Sequence, residues 1–334
     1  MKKYFIFLLI PVMAGCQEKS AKKKYPVTGS VERIDPALDQ IIMPGAKPEI
    51  IAEGFDWTEG PLWIEKYKML LFSDVPKNTI YKWTEAKGKE VYLTPSGYTD
   101  TAKRGGETGS NGLTLDNNGH LILTQCGNRQ IARMDAAIDR PAPKFISIAN
   151  NYKGKKFNSP NDVIVNSKGE YFFTDPPYGL EKYMSDPKKE LPYQGVFKVK
   201  TNGEVVLLTD TITRPNGILL LPGEKTLLIA NSDGQKANWY AYDLVGDRLT
   251  NPRIYYTAMG SDRKLKGGPD GMKVDSKGNL FASGPGGIWV FDPSGKLVGK
   301  ISVPEAASNC ALSGDEKTLY ITNDMYVLRL TMRK

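Results

Sequence analysis

The sequence predicts an all-β fold, a six-bladed β-propeller. Three observations lead there: a short phrase recurs six times, each copy is followed by a turn and a second apolar strand, and no helical period intervenes. The copies are Glu59-Gly-Pro-Leu-Trp, Asn111-Gly-Leu-Thr-Leu, Asn161-Asp-Val-Ile-Val, Asn216-Gly-Ile-Leu-Leu, Asp270-Gly-Met-Lys-Val and Asn309-Cys-Ala-Leu-Ser. Their starts lie 52, 50, 55, 54 and 39 residues apart, which is the length of a blade of short antiparallel strands. A β-sandwich, the nearest rival, would not generate six near-equal copies.

Each copy opens a hairpin. The second strands are expected at 69–72, 121–123, 171–173, 226–229, 280–282 and 319–321. Turns such as Asp116-Asn-Asn-Gly, Asn166-Ser-Lys-Gly and Asp275-Ser-Lys-Gly join them to the first, because Asn, Asp and Gly tolerate the tight backbone a hairpin needs. Third strands follow at 80–83, 131–134, 196–199 and 288–291. The sixth unit is short, and residues 48–52, ahead of the first copy, are expected to supply it with a strand and close the ring.

The chain starts with Lys2-Lys3, an apolar run over 4–12, and Ala14-Gly15-Cys16, the pattern of an export signal with a small-residue cleavage site. The run is too short to span a bilayer as a helix. Its ending resembles a bacterial lipobox, which implies that Cys16 carries lipid. Residues 1–15 are therefore expected to be a lipoprotein signal peptide, 16–45 a lipidated flexible tether, and 46–334 the propeller. The tether expectation rests on four lysines between 19 and 24, several prolines and little apolar periodicity. The protein would be periplasmic or on the cell surface, held to the membrane only through Cys16.

The formal charge of +8 does not point to nucleic acid. Six lysines and one glutamate within residues 2–24 contribute +5 of it, and the remaining +3 forms no basic helix or run. The single histidine, His120, excludes a Ser-His-Asp triad and a multi-histidine zinc centre, and sits in a turn where solvent is its natural neighbour. Cys126 and Cys310 share no spacing pattern with a disulfide or a sulfur metal site.

Rotation about the channel brings equivalent repeat positions to equal depth at the axis. The six opening residues, Glu59, Asn111, Asn161, Asn216, Asp270 and Asn309, all carry side-chain oxygens. One such residue before a glycine is an ordinary turn former. Six converging would be costly to bury without a bound cation. Two carboxylates among neutral amides suit a hard divalent metal, Ca²⁺ first, with Mg²⁺ and Zn²⁺ as alternatives.

The phrases Glu59-Gly-Pro-Leu-Trp, Ser159-Pro-Asn-Asp, Thr174-Asp-Pro-Pro-Tyr-Gly-Leu, Arg214-Pro-Asn-Gly and Pro269-Asp-Gly-Met together resemble the gluconolactonase branch of the senescence marker protein (regucalcin) family, from about residue 53 onward. The resemblance implies a metal-dependent hydrolase that opens a small sugar lactone. It implies Glu59, Asn216 and Asp270 as metal ligands, with Asn161 completing the site directly or through substrate or a ligated water, and Asp270 as the base that takes a proton from water. Asn111 and Gln125 of the second copy, and Tyr178 in the connection 176–194, are candidate substrate contacts. So is Arg104, in the connection 97–110. Both connections are long and rich in Gly, Pro and charge, as binding loops often are.

The match departs from the family in two places. Cys126 stands where the resemblance leads one to expect a histidine, and reads as a buried apolar residue rather than a reactive thiol. Ser159 stands where some animal relatives place a sugar-contacting arginine. Two other functions fit the same fold: a phosphotriesterase or fluorophosphatase, disfavoured by the lack of histidine, and a non-catalytic binding lipoprotein, which would not need two carboxylates aimed at one axis.

Overall fold

A computed structural model describes Met1 and residues 24–333. The expected signal peptide and Cys16 lie outside the described residues.

Six antiparallel sheets are arranged as the blades of a propeller, each with its repeat phrase on or just before the innermost strand. The inner strands are Thr58–Ile64, Ser110–Leu115, Val163–Val165, Pro215–Leu220, Met272–Val274 and Ala307–Leu312. The second strands are Met69–Asp74, Leu121–Gln125, Tyr171–Asp175, Thr226–Asn231, Leu280–Gly284 and Thr318–Asn323. They are almost wholly buried, as the middle of a blade packed on both faces must be. This is why they read as continuous apolar runs rather than alternating ones.

The core is divided into six clusters, one at each interface between neighbouring blades. Leu71 and Ile80 of the first blade meet Leu113 and Leu123 of the second; Ile131 meets Phe173 and Phe197; Phe172 meets Ile218 and Ile229. The fourth and fifth blades join through Trp239, Trp289 and Phe291, and the fifth and sixth through Val290, Ile301 and Ile321. The sixth cluster packs Val327 and Tyr320 of the last blade on Leu70, Phe72 and Trp83 of the first, so the ring closes. Full burial of each such side chain is worth about 1.5–3 kcal/mol, and the interfaces supply the stability that a single sheet lacks.

Closure also uses the expected strand swap. Glu49–Glu53 pairs antiparallel with Tyr326–Thr331 and forms the outer edge of the sixth blade, tying the region before the first copy to the end of the chain.

The expectation of a tether over 16–45 is corrected for its later part. Ser30–Arg33 adds a fifth strand to the fifth blade, pairing with Leu297–Ser302. The short 3-10 helix Pro36–Gln40 follows, with Asp35 accepting a hydrogen bond from the Ala37 N–H at 2.8 Å. Leu38, Ile41 and Ile42 are buried against Val298, Ile301, Leu328 and Met332. Three apolar residues at spacings of three and four form one face, and that face covers an outer strand otherwise open to solvent. Residues 25–45 therefore pack as part of the folded unit that was expected to start at residue 46.

Candidate metal-binding and active site

All six inner strands start at one end of the ring, where the second strands finish: Thr58 pairs with Asp74, Ser110 with Gln125 and Pro215 with Asn231. The opening residues gather at that end. Glu59, Asn111, Asn161, Asn216 and Asn309 are buried, while Asp270 is partly exposed at the channel mouth.

Contacts between successive copies show how tightly the ring is drawn. A Cβ on Gly60 would fall 2.0 Å from the Asn111 carbonyl oxygen, one on Gly217 2.2 Å from that of Asp270, and one on Gly271 1.9 Å from Asn309 Cγ. Gly112 lies against Asn161 and donates its N–H to the Asn161 carbonyl at 2.8 Å. In the four copies where a glycine follows the opening residue, the approach of the next blade requires it, and at Gly60 a φ of +51° requires it as well. In the third copy Asp162 replaces it, and its carboxylate accepts from the N–H of Ile218 at 3.3 Å across the interface. Hydroxyls on the second strands complete the stitching: Ser73, Thr124 and Thr174 donate to the carbonyls of Asn111, Asn161 and Asn216. This network fixes the backbone at the opening residues.

The electrostatics are those of crowded carboxylates. Burial raises Glu59 to about 8, against the pull of the Gly60 N–H, and the nearby charges of Asp162 and Glu107 push the same way. Asp270 lies well above the usual carboxylate range, first through burial and then through Glu59, Asp162 and Glu107. Burial raises Glu107 to about 7. The Glu107 Oε2 and Asn216 Oδ1 atoms are both buried with no hydrogen-bond partner among the described residues. An orphaned amide oxygen beside mutually repelling carboxylates is the arrangement a hard cation would relieve. Among the described residues, no group of three or more His, Cys, Asp or Glu side chains is set to hold a metal. The fit accordingly rests on Glu59 and Asp270 with the amides of Asn161 and Asn216.

Two long connections roof one side of this end. Arg104, expected as a substrate contact, instead donates to the carbonyls of Gly127 and Gly179 and lies over the Tyr98 ring, pinning 94–109 to 176–194. Arg129 anchors the second connection through the carbonyls of Phe157 and Lys188. Gln125 is likewise corrected as a substrate contact. Its amide is fully buried, donating to the Ser96 carbonyl at 2.8 Å and accepting from Gln130 at 2.6 Å and Asn128 at 3.3 Å, so it braces the roof from beneath. Tyr178 reaches the mouth, where its hydroxyl shares a hydrogen bond with that of Ser232. Burial and the nearby Asp270 help to raise it to about 12.

Cys126 is fully buried, donates to the Pro160 carbonyl at 3.3 Å and is raised well above the usual thiol range by burial, with Glu107 and Glu59 adding to the effect. It is a packing residue and not a thiolate. Cys126 and Cys310 are both free, and the His120 ring engages Asp116 at 2.9 Å in its half-exposed turn. Glu107 and Asp162 went unread in the sequence. Asp162 had a signal, since it occupies the position that is glycine in four other copies; Glu107 had none beyond its place in a long connection.

Residues 57–324 match the family described as the SMP-30/gluconolactonase/LRE-like region. A gluconolactonase of Zymomonas mobilis subsp. mobilis is 38% identical over 310 residues, covering 90% of this chain and 86% of the relative. A regucalcin of Xenopus laevis is 24% identical over 282 residues, covering 82% and 85%. Among solved structures, a gluconolactonase from Xanthomonas campestris superposes with a TM-score of 0.78 at 27% identity, covering 93% of this chain and 99% of that one.

Proposed function

The chain belongs to the SMP-30/gluconolactonase/LRE-like family, and from that premise we propose that it is a metal-dependent lactonase that uses Ca²⁺ to open a small sugar lactone. One observation carries the reading: Glu59, Asp270 and the unpartnered Asn216 oxygen gather at one end of a channel, in a chain similar over nine-tenths of its length to a gluconolactonase.

Glu59, Asn161, Asn216 and Asp270 would hold the cation, which when bound supplies a positive charge that polarises the ester carbonyl. Glu59 is fixed by the Gly60 N–H at 3.1 Å and by the Trp57 side chain, and balances charge. Asp270, partly exposed at the mouth, accepts the proton of the attacking water as the water oxygen bonds to the carbonyl carbon. It returns that proton to the ring oxygen as the ester C–O bond breaks. Tyr178, held by Ser232, orients the sugar hydroxyls beside it. The roof of 94–109 and 176–194 limits bulk water on its side of the channel.

The test is opening of glucono-δ-lactone followed by acid release, with spontaneous hydrolysis subtracted, in chelated protein and after adding back Ca²⁺. Activity that disappears on chelation and returns with Ca²⁺ supports the proposal. Equal activity in both samples would remove the metal from it, and no activity in either would leave the lactonase reading without support.

A further inference from the structure

At the functional end, the roof covers the side of the second and third blades. The opposite side is open. There the connection 258–271 between the fourth and fifth blades, and the turn 232–237 of the fourth, bound a recess of about 620 Å³ with Asp270 at its rim. Glu59, Asn161 and Asn216 do not line it, so it lies beside the axis rather than over it. Its size is within the range of roughly 300–1,000 Å³ typical of ligand sites. A single lactone ring reacting at Asp270 would leave most of this recess to water.

The lining suits a sugar more than an acyl chain. Ser232, Gln235, Asp262 and Arg263 offer hydrogen-bond donors and acceptors, and Met259 and Leu265 present exposed apolar surface on which the C–H face of a sugar can rest. Ser232 also bonds Tyr178, so the recess meets the roof at the residue placed against the substrate. With one side closed by the pinned connections, a substituent on the lactone has this way out.

We propose that the recess is a second sugar subsite and that the substrate is an aldonolactone carrying a further glycosyl unit. This rests on the lactonase reading and extends it to substrate class. Binding energy from the distal ring, remote from the reacting bond, would then raise kcat/KM over that of the bare lactone.

Two glycines allow the subsite to be filled without disturbing the backbone. Gly234 and Gly268 line the recess, have ordinary φ, and face open space, with nothing within 4 Å of an added Cβ. The experiment compares kcat/KM for glucono-δ-lactone and cellobiono-δ-lactone in the Ca²⁺-loaded protein, in wild type, Gly234→Trp and Gly268→Phe. Affinity for cellobionate is measured by calorimetry alongside. Wild type should favour the two-ring lactone by about tenfold or more. Either filled variant should lose that preference and the cellobionate affinity, while opening glucono-δ-lactone within about twofold of wild type. That retained activity also certifies folding. Equal turnover of both lactones by wild type, or an undiminished preference in both filled variants, overturns the subsite while leaving the lactonase standing. Failure of wild type to open either lactone overturns both.

Discussion

Asp270 and Asn216 can be separated by what their side chains are able to do. An amide can offer an oxygen to a cation but cannot accept a proton near neutral pH. Asp270→Asn is therefore expected to lose at least about a hundredfold in kcat even when Ca²⁺ is raised to restore occupancy, the scale of a lost general base. Asn216→Ala should be partly rescued by the same added Ca²⁺. Titrating activity against bound calcium in both variants checks this, and substantial turnover by loaded Asp270→Asn would remove Asp270 from the base role. The crowded carboxylates make a second prediction at this scale. Glu59 and Glu107 have folded values of about 8 and about 7 against an ordinary 4.5, so between pH 4.5 and 8 the folded state holds more protons than the unfolded one. Stability of chelated protein should then fall as pH rises from 5 to 8, and Ca²⁺ should raise Tm more at pH 8 than at pH 5. A flat Tm in chelated protein over that range would mean these carboxyls are not held together unpaired. Glu59 and Asp270 were legible in the sequence because the repeat aligned them. Glu107 was not, because its burial depends on how 94–109 folds over the channel, and no local pattern encodes that.

At the scale of strands and connections, the Asn or Asp before each repeat glycine was weighed as a turn former, whereas the glycines at 60, 112, 217 and 271 prove to be contact points between blades. The two roles predict different mutants. If Gly217 served a turn, alanine would be tolerated, since its φ is ordinary. Because a Cβ there would meet the Asp270 carbonyl at 2.2 Å, a backbone atom with no freedom to move aside, Gly217→Ala should instead force the fourth and fifth blades apart. Overpacking of this kind costs about 1–3 kcal/mol, and Tm should drop by about 1.5–5 °C. Gly234→Ala, which meets nothing within 4 Å, is the control and should leave Tm within about 1 °C. Differential scanning calorimetry of the two variants decides it; equal, small shifts would return Gly217 to a turn role. Strand positions were legible because buried second strands make unbroken apolar runs between turn residues. The roles of Arg104 and Gln125 were not, because both side chains bond partners distant in sequence: Gly127 and Gly179 for Arg104, Ser96 for Gln125.

For the whole molecule, the order of six copies and the closing strand expected at 48–52 were enough to derive a closed ring. The sequence misled where a polar-looking stretch hid three apolar residues: Leu38, Ile41 and Ile42 fasten 25–45 to the fifth and sixth blades. The lipid expected on Cys16 would be the anchor. A single acyl chain gives only marginal binding, so stable anchoring requires more than one chain on the cysteine, with the lysines at 19 and 22–24 adding attraction to anionic headgroups. Cys16→Ser should therefore release the protein from membrane to soluble fraction and abolish incorporation of labelled fatty acid. Neutralising the four lysines should weaken contact with anionic vesicles while leaving the lipidated protein in the membrane pellet. Labelling and fractionation of wild type, Cys16→Ser and the lysine variant test the two contributions separately. A wild type with no lipid on Cys16 that fractionates as Cys16→Ser does would show that the propeller works unanchored.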